Sequence, residues 1–299
     1  MGEWKGGEIT EHIPVLLDEV ISFLHPEQKG TYLDCTIGAG GHSREILERI
    51  VPGGSLVGID QDKEMLNLAE KRLKNYGKNL KLIQSDFAHI SEIFKKGERF
   101  NGILYDLGLC FFQIRQGERG FSFSVDGPLD MRFNQKQELT AFELINKASP
   151  EEIRRILRDY GEEYYADRIV SAIIRERKFS PIRTTLQLEK IVFRAVPGKR
   201  KRIHPATKTF QALRIAVNKE LESLAKTLPE AIKLLRKKGR VAVISFHSLE
   251  DRLVKTTFRK FEKSKLIKVI TPSPVVATQM ERCINPLSRS AKLRVAEKE

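Results

Sequence analysis

An apolar run that ends in an acid and breaks at once into glycines, Tyr32-Leu-Asp34-Cys-Thr-Ile-Gly38-Ala-Gly40-Gly41-His42, constrains this chain more than any other segment. It reads as a β-strand that enters a tight loop and then a helix beginning near Ser43. Glycines in such a loop reach φ values other residues avoid and let the backbone pass close to a ligand. One glycine would mark an ordinary strand-to-helix turn. Gly38, Gly40 and Gly41 together, behind a strand-end acid, point to a nucleotide-type ligand.

The neighbouring strand ends narrow that ligand. The run Ser55-Leu-Val-Gly-Ile59 ends at Asp60, 19 residues beyond Gly41. That is close to the spacing at which a carboxylate meets an adenosine ribose. The loop pattern is G-x-G-G with Asp34 ahead of it, not the G-x-G-x-x-G of dinucleotide sites. A pyrophosphate wants free N–H groups and a helix N-terminus, whereas the methionine end of S-adenosylmethionine presents an ammonium that a carboxylate can hold. The chain therefore favours S-adenosylmethionine, with NAD as a distant alternative. A third run, Leu80-Lys-Leu-Ile-Gln, leads into Ser85-Asp86-Phe87, where an aromatic ring and an acid could flank an adenine.

Periodicity supplies the architecture. Leu16, Leu17, Val20, Ile21 and Leu24 fall on one helical face after Pro14. Strands near 31 to 35, 55 to 60, 80 to 84 and 101 to 106 alternate with helical stretches near 42 to 50 and 62 to 75, and a weaker one near 88 to 96. That alternation implies an α/β fold with a parallel sheet. Beyond Asp106 the pattern gives way to a long loop and then to helices alone, near 140 to 147, 150 to 160, 162 to 178 and 184 to 195. A long helix is expected from Pro205, with Phe210, Leu213, Val217, Leu221 and Leu224 on one stripe. The sheet resumes at Arg240–Phe246, a capping box at Ser248-Leu-Glu-Asp251 opens the next helix, and strands near 266 to 270 and 292 to 296 close the chain. Asp34, Asp60, Asp86, Asp106 and His247 would then lie at the carboxyl ends of strands, where parallel α/β sheets bind ligands.

Composition bounds the partners. The 299 residues, 40% of them apolar, can fill about two domains. No run approaches the ~20 apolar residues needed to span a bilayer, and Met1-Gly-Glu-Trp-Lys lacks a signal pattern, so a cytoplasmic protein with no membrane partner is expected. Cys35, Cys110 and Cys283 are too few and too scattered for a disulfide framework or a zinc site, and no metal is expected. The net charge of +14 suits a polyanion. Between Gln113 and Phe210 stand 20 basic and 13 acidic residues, half of that excess in a third of the chain, and the run Lys199-Arg200-Lys201-Arg202 lies inside it. These four, with Arg132, are candidate RNA-phosphate contacts.

Taken together, the motifs resemble the bacterial 16S ribosomal RNA cytosine-N4 methyltransferase family, known as RsmH or MraW. The resemblance rests on His12 with Pro14-Val-Leu-Leu17, Asp34 through Ser43, Gly58-Ile-Asp60, Asp106-Leu-Gly108 and Arg119-Gly-Phe-Ser-Phe123. It continues through Gly127-Pro-Leu-Asp-Met-Arg132, Tyr160-Gly-Glu162, His204–Arg214, Ile244–Arg252 and Ser290-Ala-Lys-Leu-Arg294. It implies a class I, Rossmann-like methyltransferase domain over 1–112 and 211–299, interrupted by an all-helical insert over 113–210 that helps to form the RNA site. The implied substrate is a cytidine in the decoding centre of 16S rRNA, within the small ribosomal subunit.

By the same resemblance Gly40, Gly41 and His42 form a cofactor loop, Asp60 holds the ribose, and Phe87, Asp106 and Gln113 complete the cofactor contacts, beside Asp34 and Gly38. Asp106 is also the candidate to polarise the cytosine amine, and His247 is either a proton acceptor or part of a structural turn. After Asp106-Leu-Gly the family typically continues Val-Ser-Ser-Pro-Gln, whereas this chain has Leu109-Cys110-Phe111-Phe112-Gln113, so two hydroxyls and a proline are missing and Phe111 or Phe112 could stack on a base instead. The residues leave open a methyltransferase for DNA or a small amine, and a noncatalytic RNA-binding or assembly factor that keeps the cofactor site.

Overall fold

The computed structural model describes residues 13–95, 97–198 and 203–299. The helices are α1 (Leu17–Leu24), α2 (Gly41–Ile50), α3 (Lys63–Leu73), α4 (Ile90–Ile93), α5 (Phe111–Arg115), α6 (Ala141–Lys147), α7 (Pro150–Asp159), α8 (Ala166–Arg177), α9 (Thr185–Ala195), α10 (Thr207–Asn218), α11 (Glu220–Leu234), α12 (Ser248–Lys263) and α13 (Gln279–Ile284). The strands are β1 (Thr31–Asp34), β2 (Ser55–Asp60), β3 (Leu80–Gln84), β4 (Phe100–Asp106), β5 (Leu235–Ser245), β6 (Ile267–Val269), β7 (Val275–Val276) and β8 (Lys292–Lys298). Two compact units result. One reaches Gly108 and resumes over Ser223–Glu299; the other is Leu109–Glu222. The divisions expected at 112/113 and 210/211 compare with observed ones at 108/109 and 222/223.

The first unit is a sheet of order β3-β2-β1-β4-β5-β8-β6, with β7 on β8. β3 to β5 run parallel, as their apolar runs Leu56–Ile59, Ile103-Leu-Tyr105 and Val241–Ile244 require of strands covered on both faces. β8 is antiparallel to β5 and β6 to β8, a reversal that periodicity does not encode. One apolar cluster packs α1, α2 and α3 on one side of the sheet (Val20, Ile46, Leu47, Ala69), and another packs α11 and α12 on the other (Leu228, Ile232, Val254, Phe258).

The second unit carries its own core, in which Ile153, Ile156, Ile169, Ile173, Leu188 and Leu213 interlock. Its helices are well punctuated. Ser149 caps α7 through its hydroxyl, which accepts from the Glu152 N–H at 3.1 Å, with Pro150 in the first turn. Thr184 and Gln187 form a capping box on α9.

Four expectations change. The long helix from Pro205 is two helices, because Lys219 takes a left-handed conformation (φ 51°) that ends α10 before Leu221 and Leu224. The helix expected over 162–178 starts only at Ala166, since Glu162 also has positive φ and the Glu163 carboxylate accepts from the Tyr165 N–H. The stretch near 88–96 is a 3₁₀ turn, Phe87–His89, followed by the short α4. The capping box before α12 sits one residue earlier, on His247 and Glu250 instead of Ser248 and Asp251. Among the described residues no helix is long and apolar enough to cross a membrane.

Candidate active site

Register explains where the site forms. Asp34, the last residue of β1, lies beside Gly58 on one flank and Leu104 on the other, so β2 and β4 each extend two residues beyond it, to Asp60 and Asp106. β1 thus stops short between two longer strands, at the point where the strand order reverses and α/β sheets open a crevice. The loop from Cys35 turns into that gap. The Cys35 N–H donates to the Leu104 carbonyl, the Ile37 N–H to the Ile59 carbonyl, and the Asp106 N–H to Thr36 Oγ1 at 2.6 Å.

The glycines are needed for specific reasons. Gly40 caps α2 at φ 80°, and a Cβ there would lie 2.9 Å from Leu73 Cδ1, so any side chain meets both strain and collision. Gly38, also at positive φ, turns its N–H onto Asp60 Oδ2 at 3.0 Å. Gly41 opens α2 against Pro14, and His42 follows in the first turn.

Three carboxyls now occupy adjacent strand ends. Asp34, almost fully buried, accepts from the Ser43 hydroxyl (2.7 Å) and the Thr36 N–H (3.1 Å). Burial still pushes it up to about 6. Asp60 accepts from the N–H groups of Gly38 and Asp62, and burial pushes it up to about 7, with Asp62 and Asp34 adding like charge. Asp106 is raised well above the ordinary carboxylate range, first by burial and then by Asp34 and Glu250. Among the described residues no Lys or Arg pairs with any of the three. The Asp106 Oδ1 atom is buried and has no hydrogen-bond partner among the described residues, although about a quarter of the side chain as a whole is accessible (27%). Buried carboxyls without a countercharge are costly to ionise unless a cation arrives. A ligand carrying both an ammonium and a sulfonium meets that need.

His42 completes the group. Its Nε2 lies 3.0 Å from the Val15 carbonyl oxygen, which can only accept, so the proton belongs on Nε2. In the neutral ring, Nδ1 then turns its lone pair toward Asp106 Oδ2, 3.5 Å away.

The remaining expected residues divide. Phe87 is partly buried, edge-on to Tyr105 at 5.6 Å, and its carbonyl accepts from the Thr227 hydroxyl. Asp86 caps the turn after β3, accepting from the Ala88 N–H (2.8 Å) and the Ser223 hydroxyl (3.2 Å). His247 is the N-cap of α12: its Nδ1 accepts from the Glu250 N–H at 3.4 Å, while Glu250 Oε2 accepts from the N–H groups of Phe246 and His247. The His247 side chain is only 7% accessible, and its Nε2 lies 3.2 Å from Glu250 Oε1. His247→Ala should therefore lower stability by about 1 kcal/mol in chemical denaturation and leave cofactor affinity unchanged.

Gln113 and Arg132 belong to the helical unit. Gln113 Oε1 accepts from the Cys110 N–H at the start of α5. In α5 the Phe111 and Phe112 rings meet edge to face, with the Arg115 guanidinium 4.4 Å over Phe111. Arg132, expected on an RNA phosphate, is instead committed inward. Its Nε and Nη2 fork onto the Asp130 carboxylate (2.9 and 2.6 Å), and Nη1 donates to the carbonyls of Gln135 and Gln137. Lys199, Arg200, Lys201 and Arg202, and His12, lie outside the described residues.

Sequence reasoning missed Thr36 and Ser43, the hydroxyls that tie the loop to Asp106 and Asp34. Their signal was present as two hydroxyl residues flanking the glycines.

The chain matches the family model described as the MraW methylase family over residues 9–299. It is 46% identical over 306 residues to the ribosomal RNA small subunit methyltransferase H of Geotalea uraniireducens, covering 96% of this chain and 98% of that one. Its counterpart of the same name in Geotalea daltonii is 47% identical over 307 residues, with 96% and 98% coverage. The one from Clostridium botulinum strain Kyoto is 42% identical over 306 residues, with 96% and 99% coverage. With the family model spanning nearly the whole chain and relatives this similar aligned end to end, the chain belongs to the MraW methylase family.

Proposed function

We propose that this chain transfers a methyl group from S-adenosylmethionine to the N4 amine of a cytidine in the decoding centre of 16S rRNA, within the small ribosomal subunit. The observation that carries the reading is the trio of strand-end carboxyls Asp34, Asp60 and Asp106, which no Lys or Arg among the described residues pairs, in a chain of a methylase family whose curated relatives are named for small-subunit ribosomal RNA. The donor set fits the cofactor. Asp60 keeps lone pairs free for ribose hydroxyls after accepting from Gly38 and Asp62, the loop from Asp34 to Gly40 would cradle the methionine portion, and Phe87 would border the adenine. Gln113 is assigned to the cofactor by family resemblance alone.

S-adenosylmethionine supplies, when bound, an electrophilic methyl that N4 takes up. The cytosine N4 lone pair is delocalised into the ring, so the protein must localise it and align it. Asp106 has the group for this: Oδ1, which has no hydrogen-bond partner among the described residues, would accept from N4–H and raise the electron density on nitrogen once the substrate reaches it. The proton released as N4 is methylated passes to the Asp106 carboxylate, and His42 Nδ1, on the far oxygen, can share it. Asp34 acts one step back by fixing the loop through Ser43 and Thr36, and Thr36 in turn fixes the backbone of Asp106.

A competition assay separates this reading from the alternatives. Labelled methyl should transfer to small-subunit rRNA, with unlabelled DNA or free nucleosides failing to compete. Preferential transfer to DNA or to a small amine would refute the assignment. Cofactor binding without transfer to any of them, beside an active homologue as control, would make the chain a binding factor.

A further inference from the structure

The helical unit offers a feature that the methyl-transfer chemistry does not use. A groove of about 430 Å³ is lined from α8 by Arg168, Ala172 and Arg175 and from α9 by Ile191, Arg194 and Ala195. Ser171 also lines the groove, its hydroxyl donating to the Asp167 carbonyl at 2.9 Å. We infer that this groove binds the phosphodiester backbone of the RNA substrate, its three arginines each taking a backbone phosphate; this rests on the reading that the chain acts on RNA.

Charge placement favours that occupant. Of the groove's two acids, Asp167 is held by Arg154 (2.7 Å) and Arg158 (2.6 Å) from α7, whereas Glu176 stands 3.9 Å from Arg175, beyond hydrogen-bonding distance, so the Arg175 guanidinium can turn to a phosphate. Arg168 and Arg194 have no ion-pair partner among the described residues, and both are exposed. Arg177, by contrast, is spent on the carbonyls of Ile145 and Ala148. Lys178 and Lys190 extend the same basic character along the two helices, and both are exposed.

Spacing favours a chain of phosphates over a single one. Arg168 and Arg175 are seven residues apart, about 10 Å along the helix axis. Ala172 and Ala195, with their short side chains, leave room for sugar and phosphate. Arginine's planar fork matches a phosphate in two hydrogen bonds, and such contacts position RNA without reading its sequence.

The test compares the full-length protein with its R168A/R175A/R194A and R168K/R175K/R194K variants, for binding and methylation of protein-free small-subunit rRNA and of intact small subunits across a salt series. The alanine variant should lose on the order of 10- to 100-fold in affinity for free rRNA at moderate salt, with the salt slope reduced by about 2 to 3. The lysine variant should keep the wild-type slope, and both should keep cofactor affinity and melting temperature. Unchanged rRNA affinity and slope in the alanine variant would overturn the assignment. So would a loss seen on intact subunits alone, which would give the groove to a protein partner. If wild-type protein neither binds nor methylates rRNA, the underlying reading fails as well, which distinguishes that failure from failure of the groove alone.

Discussion

S-adenosylmethionine should bind roughly tenfold or more tightly at pH 8 than at pH 6, and its binding should release protons. Asp34 and Asp60 titrate near about 6 and about 7 in the ligand-free protein because burial disfavours their charged forms, so both carry substantial proton occupancy at the lower pH. A cationic ligand favours the carboxylates, and each proton displaced adds up to a factor of ten per pH unit below the group's own range. The sign for the ligand-free protein is opposite. A carboxyl whose folded pKa lies above its unfolded value holds more protons folded than unfolded, so its contribution to stability falls as pH rises from about 4 toward 7. Cofactor should cancel that fall. Calorimetry in buffers of different ionisation enthalpy, with melting curves at each pH, checks both statements. Asp60→Ala should cost on the order of 100-fold in cofactor affinity and flatten the upper part of the profile, since a charge-assisted ribose contact and one titrating group are lost together. A pH-independent affinity with no proton release would mean the carboxyls do not meet the cation.

Asp106→Asn should reduce the single-turnover rate of methyl transfer by about 100- to 1,000-fold while changing cofactor affinity several-fold at most. The amide keeps an oxygen in place of Oδ1 but neither its charge nor its capacity to take a proton. Burial raises the Asp106 carboxyl in the ligand-free protein; a cation bound beside it should lower it again, so the wild-type rate should rise with pH until Asp106 is ionised in the complex. The variant should lack that limb of the profile. Loss confined to affinity, with the rate intact at saturating cofactor, would make Asp106 a cofactor contact only.

Much of the first unit was legible because its elements obey local rules. A strand-end acid followed by glycines is a backbone requirement that only a few residue types meet, and Gly40 at φ 80° against Leu73 is one such requirement. The alternation of strands and helices up to Asp106 was equally plain. What failed depended on context. Lys219 ends α10 in a left-handed turn that no glycine announces, so the stripe from Phe210 to Leu224 looked continuous. The antiparallel β8 was invisible because orientation leaves no mark on an apolar run. Among site residues, Asp34, Asp60 and Asp106 emerged from position alone, whereas the inward fork of Arg132 onto Asp130 did not. An arginine two residues from an aspartate reads the same whether it faces RNA or folds back on its neighbour. The α8–α9 groove was hidden for a related reason: its arginines come from two helices that only packing brings together.

The central claim is met most directly by incubating the protein with labelled S-adenosylmethionine and small ribosomal subunits lacking the modification, then mapping the labelled nucleotide. Label on the N4 atom of a decoding-centre cytidine is the predicted result, and it would also show that Cys110-Phe111-Phe112 supports catalysis. Label on another atom or another nucleotide, or none beside an active homologue, would contradict it.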